Sequence, residues 1–318
     1  MTGLNFSIKP DVEINEIKKL LIKFKKNKNY KKKNITWDYF LNPFGKTKFF
    51  IAQYNGLIIG MLVCLKQIYI NKNQKYSGYR IQDVITDTEI IKKLIKDKRK
   101  LITANKKGVF DNLIIKLNKF ISKNSKLNFG FANHLAFPFW TRNGWRNISE
   151  FPLYEKKLFS KEKLILKSKI IKNFNLDHEK IFLRNLTEKI NIFWSAKYSN
   201  WRYINNPRSK YFVYEFFLRN KLVGYTVLKE YFSDTEKKGH ICQIVSAPKF
   251  QNEIINFANN FFLKKKIQSL SLWSFDTKLM KKNDFKGNYS INKRIVYSGY
   301  SNLKKQNIDI NMGFSDIY

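Results

Sequence analysis

Asp83 and the basic turn at residues 103–108 are where the chemistry of this sequence is easiest to specify. Asp83 stands late in a strand expected over 79–85, and a carboxylate there could take a proton from a bound nucleophile. An ordinary cap or salt-bridge role is the commoner fate of such a residue. The turn reads Thr-Ala-Asn-Lys-Lys-Gly, and after it Val109, Phe110, Leu113, Ile114, Leu117, Phe120 and Ile121 recur at helical spacing. A helix start presents unpaired backbone N–H groups with partial positive charge, so Gly108, Val109 and Phe110 could receive an anion. Glycine permits close approach, and Lys106 and Lys107 would add charge. A metal centre is not expected: His134, His178 and His240 are scattered, with no cysteine cluster beside them.

The elements that must hold these residues announce themselves through a repeat. Trp37, Tyr39, Asn42, Pro43 and Gly60 return 164 residues later as Trp201, Tyr203, Asn206, Pro207 and Gly224 without a gap. Each copy reads as an aromatic-rich helix stopped at Asn-Pro, then two apolar strands, 49–54 with 57–65 and 211–218 with 222–230. Asn55-Gly56 supplies the positive φ angles of a tight hairpin, and residues 219–221 take the same place in the copy. Two similar domains follow, placed at 1–158 and 159–318, with a linker over about 159–176.

Around the repeat, residues 4–8 read as a strand and 12–24 as a helix. A further strand, a turn near Ser77-Gly78 and a fourth strand at 79–85 come next. Thr86 and Glu89 have capping-box spacing, which predicts an extra helix over 87–102. Beyond the helix at 109 come a strand at 126–132, a short helix at 135–142 and strands over 144–158 closing the first domain. In the second half we expect a strand at 180–186, a helix holding Ile190, Phe193 and Trp194, a strand at 239–246, a helix at 250–265 and a strand at 269–274.

Composition narrows the class of protein. The chain has 318 residues, 43% of them hydrophobic, with 28 Phe, 17 Tyr and only six Pro, which describes a folded globular protein. The net charge of +37 points toward anionic ligands. Only nine of the 61 basic residues are Arg, and the rest is Lys accompanied by abundant Asn and Ile, as AT-rich coding would give. Lysine is the poorer group for bidentate recognition of phosphate or bases, so nucleic acid is not the first reading. Cys64 and Cys242 lie in apolar runs and read as buried free thiols. The first residues lack the apolar core of a signal peptide and no run reaches a membrane span, so a reducing cytoplasm is the expected compartment.

The succession of strand, basic Gly-containing turn, amphipathic helix, strand, Asn-containing turn and short helix resembles the GNAT-type N-acetyltransferase superfamily, in its double-domain form. Three stretches carry the resemblance: GYRIQDVIT, NKKGVFDNLI and NHLAFPFWTRNGW, the last with Asn133, Ala136, Trp140, Gly144 and Trp145 in the family's downstream pattern. The resemblance implies an α/β (α+β) fold of two tandem GNAT-like domains, each a mixed, mainly antiparallel twisted sheet flanked by helices. It implies acetyl-CoA, or another acyl-CoA, as co-substrate and a small-molecule amine or amino sugar as acceptor. The pyrophosphate would sit on Lys106, Lys107, Gly108, Val109 and Phe110, while Val84, Ile85 and Thr86 would offer strand-edge groups to the pantetheine arm. Asn133 would contact the same arm.

Here the family's first loop glycine is replaced by Lys106. Trp140 stands where a tyrosine often protonates the departing thiolate, and an indole cannot do so. The residues of the first domain therefore support cofactor binding better than catalysis. The second, with no glycine between Gly239 and the next helix and with Pro248 removing a donor, is expected to be degenerate. Two other readings stay open. One is a Fem-type aminoacyl transferase, for which tRNA would be the partner. The other is a non-catalytic binding protein on a degenerate GNAT scaffold. Oligomeric state is not readable.

Overall fold

The computed structural model describes residues 4–9, 12–25, 31–96, 108–232, 236–299, 303–304, 307–309 and 311–314. They fall into two compact units. The N-terminal unit takes the residues through Tyr69, then Tyr76–Ile148 and the segment from Lys293; the C-terminal unit takes Ile70–Lys75, Ser149–Asn292 and the described residues from Leu303.

In the first half of the chain the elements are β1 (Leu4–Lys9), α1 (Ile14–Lys25), α2 (Lys32–Phe40), β2 (Lys48–Tyr54), β3 (Leu57–Ile70), β4 (Lys75–Thr86), α3 (Thr88–Lys96), α4 (Val109–Asn124), β5 (Leu127–Asn133), α5 (Phe137–Arg142) and β6 (Arg146–Lys157). In the second half they are β7 (Lys167–Ile170), α6 (Leu176–Arg184), β8 (Asn191–Ile192), α7 (Ala196–Ser199), β9 (Tyr211–Leu218), β10 (Lys221–Phe232), β11 (Lys237–Ser246), α8 (Pro248–Lys264), β12 (Ser269–Trp273), α9 (Thr277–Lys282) and β13 (Lys286–Ser298).

Each unit is built on six strands in corresponding order. In the N-terminal unit the order is β1-β2-β3-β4-β5-β13, and in the C-terminal unit it is β7-β9-β10-β11-β12-β6. One pair in each is parallel, β4 with β5 and β11 with β12. The sixth strand comes from the other half of the sequence: residues 293–298 of β13 pair antiparallel with β5, and residues 153–157 of β6 with β12. The expectation that 144–158 would close the first domain is thus corrected. Strand pairing is non-local, and nothing within β6 marks its partner.

Both faces of the N-terminal sheet are covered, which explains why its strands read as nearly continuous apolar runs. Side chains alternate along a strand. Phe50, Ala52, Leu62 and Cys64 therefore face the α4 residues Val109, Leu113, Ile114 and Leu117. Phe49, Ile51, Met61 and Val63 face Ile17, Leu21 and Tyr39 of α1 and α2. In the C-terminal unit Ile255, Ala258 and Phe262 of α8 pack on Leu228, Ile241 and Leu270. Full burial of one such side chain is worth about 1.5–3 kcal/mol.

The repeat has a geometric cause. Asn55 and Gly56 both have positive φ, and so do Arg219 and Asn220 at the same place in the copy. Asn42 Oδ1 accepts the Phe44 N–H at 3.1 Å, and Asn206 Oδ1 accepts the Arg208 N–H at 2.9 Å, the same Asx turn closing each helix. The hairpin registers slip once in each unit, just before Gly60 and just before Gly224. A Cβ on Gly60 would come within 2.9 Å of Val109 Cγ1, and one on Gly224 within 2.6 Å of the Val245 carbonyl. Both glycines let the strand lie close under its neighbours.

Several expected details differ. Ser77-Gly78 lies inside β4, the turn being at residues 71–74. Gly78 is needed for close approach, since a Cβ there would lie 1.8 Å from the Leu127 carbonyl oxygen. The extra helix is α3, capped by Asp87, whose Oδ1 accepts the Ile90 N–H at 3.1 Å, and not by Thr86. Its expected continuation over 97–102 lies outside the described residues. Residues 180–186 belong largely to helix α6. Asn175 and His178 close its start reciprocally, histidine filling the place where Glu or Gln is usual. Phe193 and Trp194 follow β8 and precede α7, so the helix expected around them begins later. Strand β7 lies in the expected linker.

Candidate active site

The N-terminal candidate site opens where two parallel strands part. Strands β4 and β5 pair from Gly78↔Leu127 to Ile81↔Gly130, and no further pair joins them among the described residues. Beyond that point β5 stays beside β13 as far as Asn133. The end of β4 stays beside β3, with the Asp87 N–H donating to the Ile59 carbonyl at 2.7 Å. Between the two branches, Asp83 adopts φ +48°, a left-handed conformation uncommon for a residue with a side chain. The divergence leaves the stretch 82–86 outside the β4–β5 ladder, which ends at Ile81↔Gly130.

Helix α4 begins beside this opening, because Val109 lies over Gly60 at the β3 irregularity. Its cap is Gly108, with φ −70° and ψ 172°, and no side chain from that position occupies the first turn. Among the described residues the nearest atom to a Cβ placed on Gly108 is Asp111 Oδ2 at 4.0 Å, so no described neighbour demands the glycine. Val109 is buried, and Phe110 packs against the rings of Phe139 at 4.8 Å and Trp140 at 6.1 Å. Lys106 and Lys107 lie outside the described residues.

Asp83 accepts a short hydrogen bond from the Tyr39 hydroxyl. That tie joins the carboxylate to the helix of the repeated unit. Val84 packs at the margin of the α4-side core, Ile85 is buried on the opposite face, and Thr86 is half-buried. The five positions 82–86 therefore share one strand edge while their side chains divide between two faces. Asn133 is exposed at the end of β5, and its Oδ1 accepts the Ala136 N–H at 2.8 Å at the start of α5. What it can offer a ligand is its Nδ2 donor.

Trp140 is 3% exposed and packs edge-on against Trp145, with ring centroids 4.6 Å apart. It belongs to the core. The Trp145 indole N–H donates to Asn118 Oδ1 at 2.9 Å, satisfying the polar end of a buried ring.

Sequence reasoning missed the group closest to the helix start. Asp111, in the first turn of α4 and 4% exposed, is held by Arg142 through Nε to Oδ1 at 2.8 Å and by a second, shorter bond. Asn143 Nδ2 adds a third bond at 2.7 Å. The hydrogen bond to Asp111 is the largest influence on the Arg142 guanidinium and raises its pKa. An acidic residue in a first turn favours the helix dipole, and that was the available signal. The Arg142 partner, a helix away, had none.

The C-terminal unit repeats the divergence. Strands β11 and β12 pair only from Gly239↔Leu270 to Ile241↔Leu272. The gap beyond holds a cavity of about 410 Å³ whose walls include Gln243, Val245, Trp273 and Leu279. Pro248 and Gln251 of the α8 start reach the same cavity.

No protein-family model matches this sequence, and no curated protein matches it. Solved structures do. A conserved Enterococcus faecalis protein described as a probable N-acyltransferase is 11% identical, with a TM-score of 0.69, 93% of this chain and 72% of that one covered. A GCN5-related N-acetyltransferase from Anabaena variabilis is 12% identical, with a TM-score of 0.69 over 93% and 73% of the two chains. Saccharomyces cerevisiae N-myristoyltransferase with bound myristoyl-CoA is 10% identical, with a TM-score of 0.61 over 96% and 84%. The chain thus has the mixed α+β fold of GNAT-type N-acyltransferases, as the sequence motifs implied.

Proposed function

We propose that the protein is an acyl-CoA-dependent N-acyltransferase whose cofactor site lies in the N-terminal unit, with acetyl-CoA as the donor. The observation that carries this reading is the parting of β4 from β5 beside the start of α4, where the cap residue, Gly108, has no side chain. It leaves a row of backbone groups for an extended pantetheine arm and a cluster of N–H donors for a pyrophosphate. Gly108, Val109 and Phe110 would supply those donors, with Lys106 and Lys107 adding charge, and Asn133 would reach the arm from β5. The myristoyl-CoA bound by the yeast neighbour agrees with an acyl-CoA donor.

In the proposed reaction the acceptor amine attacks the thioester carbonyl carbon. The C–N bond forms, and the oxyanion is held by amides of residues 84–86. Asp83, oriented by Tyr39, takes the proton lost by the amine. The C–S bond then breaks, and solvent protonates the CoA thiolate, since Trp140 has no acidic group to give. The acceptor is a small amine, of which amino sugars are one class. The reaction as written uses no metal.

Thiol release from acetyl-CoA in the presence of a mixed amine panel tests this. We expect Asp83→Asn to lower kcat by about 100-fold while leaving acetyl-CoA affinity unchanged. Absence of thiol release together with absence of acetyl-CoA binding would overturn the reading.

A further inference from the structure

We infer that the cavity between β11 and β12 is a separate binding site for a small protonated primary amine with an apolar body. The inference is independent of the acyl-CoA reading, because every residue it uses lies in the C-terminal unit. Its volume, about 410 Å³, falls in the range of small-molecule sites.

The walls are rich in acceptors that want donors. Gln243 is 1% exposed, and its Oε1 receives no hydrogen bond among the described residues. Asn311 Oδ1 is likewise buried and receives none among the described residues. Both residues line the cavity. A buried acceptor left unpaired costs about 1–3 kcal/mol, so a ligand that donates to it recovers that cost on binding. Two carboxylates, Asp276 and Asp309, line the same cavity. Asp309 Oδ2 accepts only a neutral amide donor, from Asn191 Nδ2 at 3.2 Å, among the bonds described for it. Asp276, at the exposed rim, caps α9, its Oδ1 accepting the Leu279 N–H at 2.9 Å, so Asp309 is the buried carboxylate of the pair.

Two acceptor amide oxygens and two carboxylates suit an ammonium group, which carries three donors and no acceptor. The apolar remainder of the wall, with Trp273, Leu272 and Phe182, suits an aliphatic or aromatic body. The opposite demand, for an anion, is weaker. Arg184 is exposed, and the half-buried Lys189 acts on Asp309, partly offsetting the upward push that burial gives that carboxyl's pKa. Pro248 takes one donor away from the α8 start. In a chain with 61 basic and 24 acidic residues, this concentration of acceptors runs against the overall composition.

The test uses three probes of matched shape, 2-phenylethylamine, 2-phenylethanol and 3-phenylpropionate, titrated calorimetrically into the full-length protein at moderate salt. The amine is expected to bind at one site and at least tenfold more tightly than either analogue. Gln243→Leu should weaken it at least threefold without lowering the melting temperature, because the variant removes an unpaired buried acceptor. Asp309→Asn should weaken it more and provides a second readout should Gln243→Leu fold poorly. Equal or tighter binding of the propionate, no detectable binding of the amine, or unchanged affinity in both variants would each overturn the inference. Loss of acetyl-CoA binding with amine binding intact would overturn only the acyl-CoA reading.

Discussion

The two units share a hairpin, a register slip, a repeated glycine and a parallel pair that parts after three or four residues, yet their helix starts differ. In the N-terminal unit the turn before α4 is Gly108, and the first turn carries Asp111 locked to Arg142. In the C-terminal unit α8 opens with Pro248, and the space below it is walled by unpaired acceptors. On the two proposals, one scaffold would present donors in one place and acceptors in the other. The framework would then set where a ligand sits, and a few residues at the helix start and strand ends the sign of charge it carries.

The comparison breaks most visibly where the parallel pair is closest. Gly78→Ala would force a Cβ against the Leu127 carbonyl, a backbone atom that cannot turn aside. Urea denaturation should show a loss of about 3 kcal/mol or more. A loss under about 1 kcal/mol would mean that the strands are not held at this separation. The repeated glycines come next. Gly224→Ala meets the Val245 carbonyl and Gly60→Ala only movable side chains, so we expect costs of about 2–3 and about 1 kcal/mol respectively. Equal costs would show that the two helix-to-sheet contacts are more alike than their geometry indicates.

Charge sharpens the contrast further. Burial pushes the His240 pKa down to about 3, with Lys229 and Lys238 adding to the effect. Its Nδ1 lies 2.6 Å from Ser271 Oγ. The folded value is below that of the unfolded chain, so the unfolded state takes the proton first as pH falls. Stability is complete above the unfolded pKa of about 6.5 and declines toward pH 3, at up to about 1.4 kcal/mol per pH unit. His240→Gln should flatten that part of the pH–stability profile, and an unchanged slope would place its origin elsewhere. The smallest effect is expected at Asp111→Asn. The Arg142 side chain is half-exposed, so solvent limits the loss to about 1 kcal/mol. A loss above about 3 kcal/mol would mark the pair as effectively buried.

What could be read beforehand was what is local. Asn55-Gly56, the Asn-Pro helix stops and the apolar stripe of α4 are determined by near neighbours, and all were legible. Gly78 was misread because a glycine in a strand can signal either a turn or a close neighbour, and only the fold shows Leu127 above it. Helix α6 was missed because its cap uses His178 in place of an acid or amide. The strand β13 went unread, and the partner of β6 could not be inferred, since pairing over such distances leaves no periodic trace. At the candidate site, the strand carrying Asp83 and the helix start at Gly108 were legible from residue type and spacing. Tyr39 and Arg142, which act on the site from distant elements, were not.

The central claim is that the N-terminal unit holds the acyl-CoA. Gly108 has a backbone conformation open to any residue, and among the described residues the nearest atom to a Cβ there is Asp111 Oδ2 at 4.0 Å, so Gly108→Val should leave the melting temperature unchanged. Calorimetric titration of acetyl-CoA at moderate salt into the wild type and this variant is the most direct test. The account predicts one site per chain in the wild type and at least tenfold weaker binding in the variant. Two equivalent sites per chain, or the same affinity in both proteins, would contradict it.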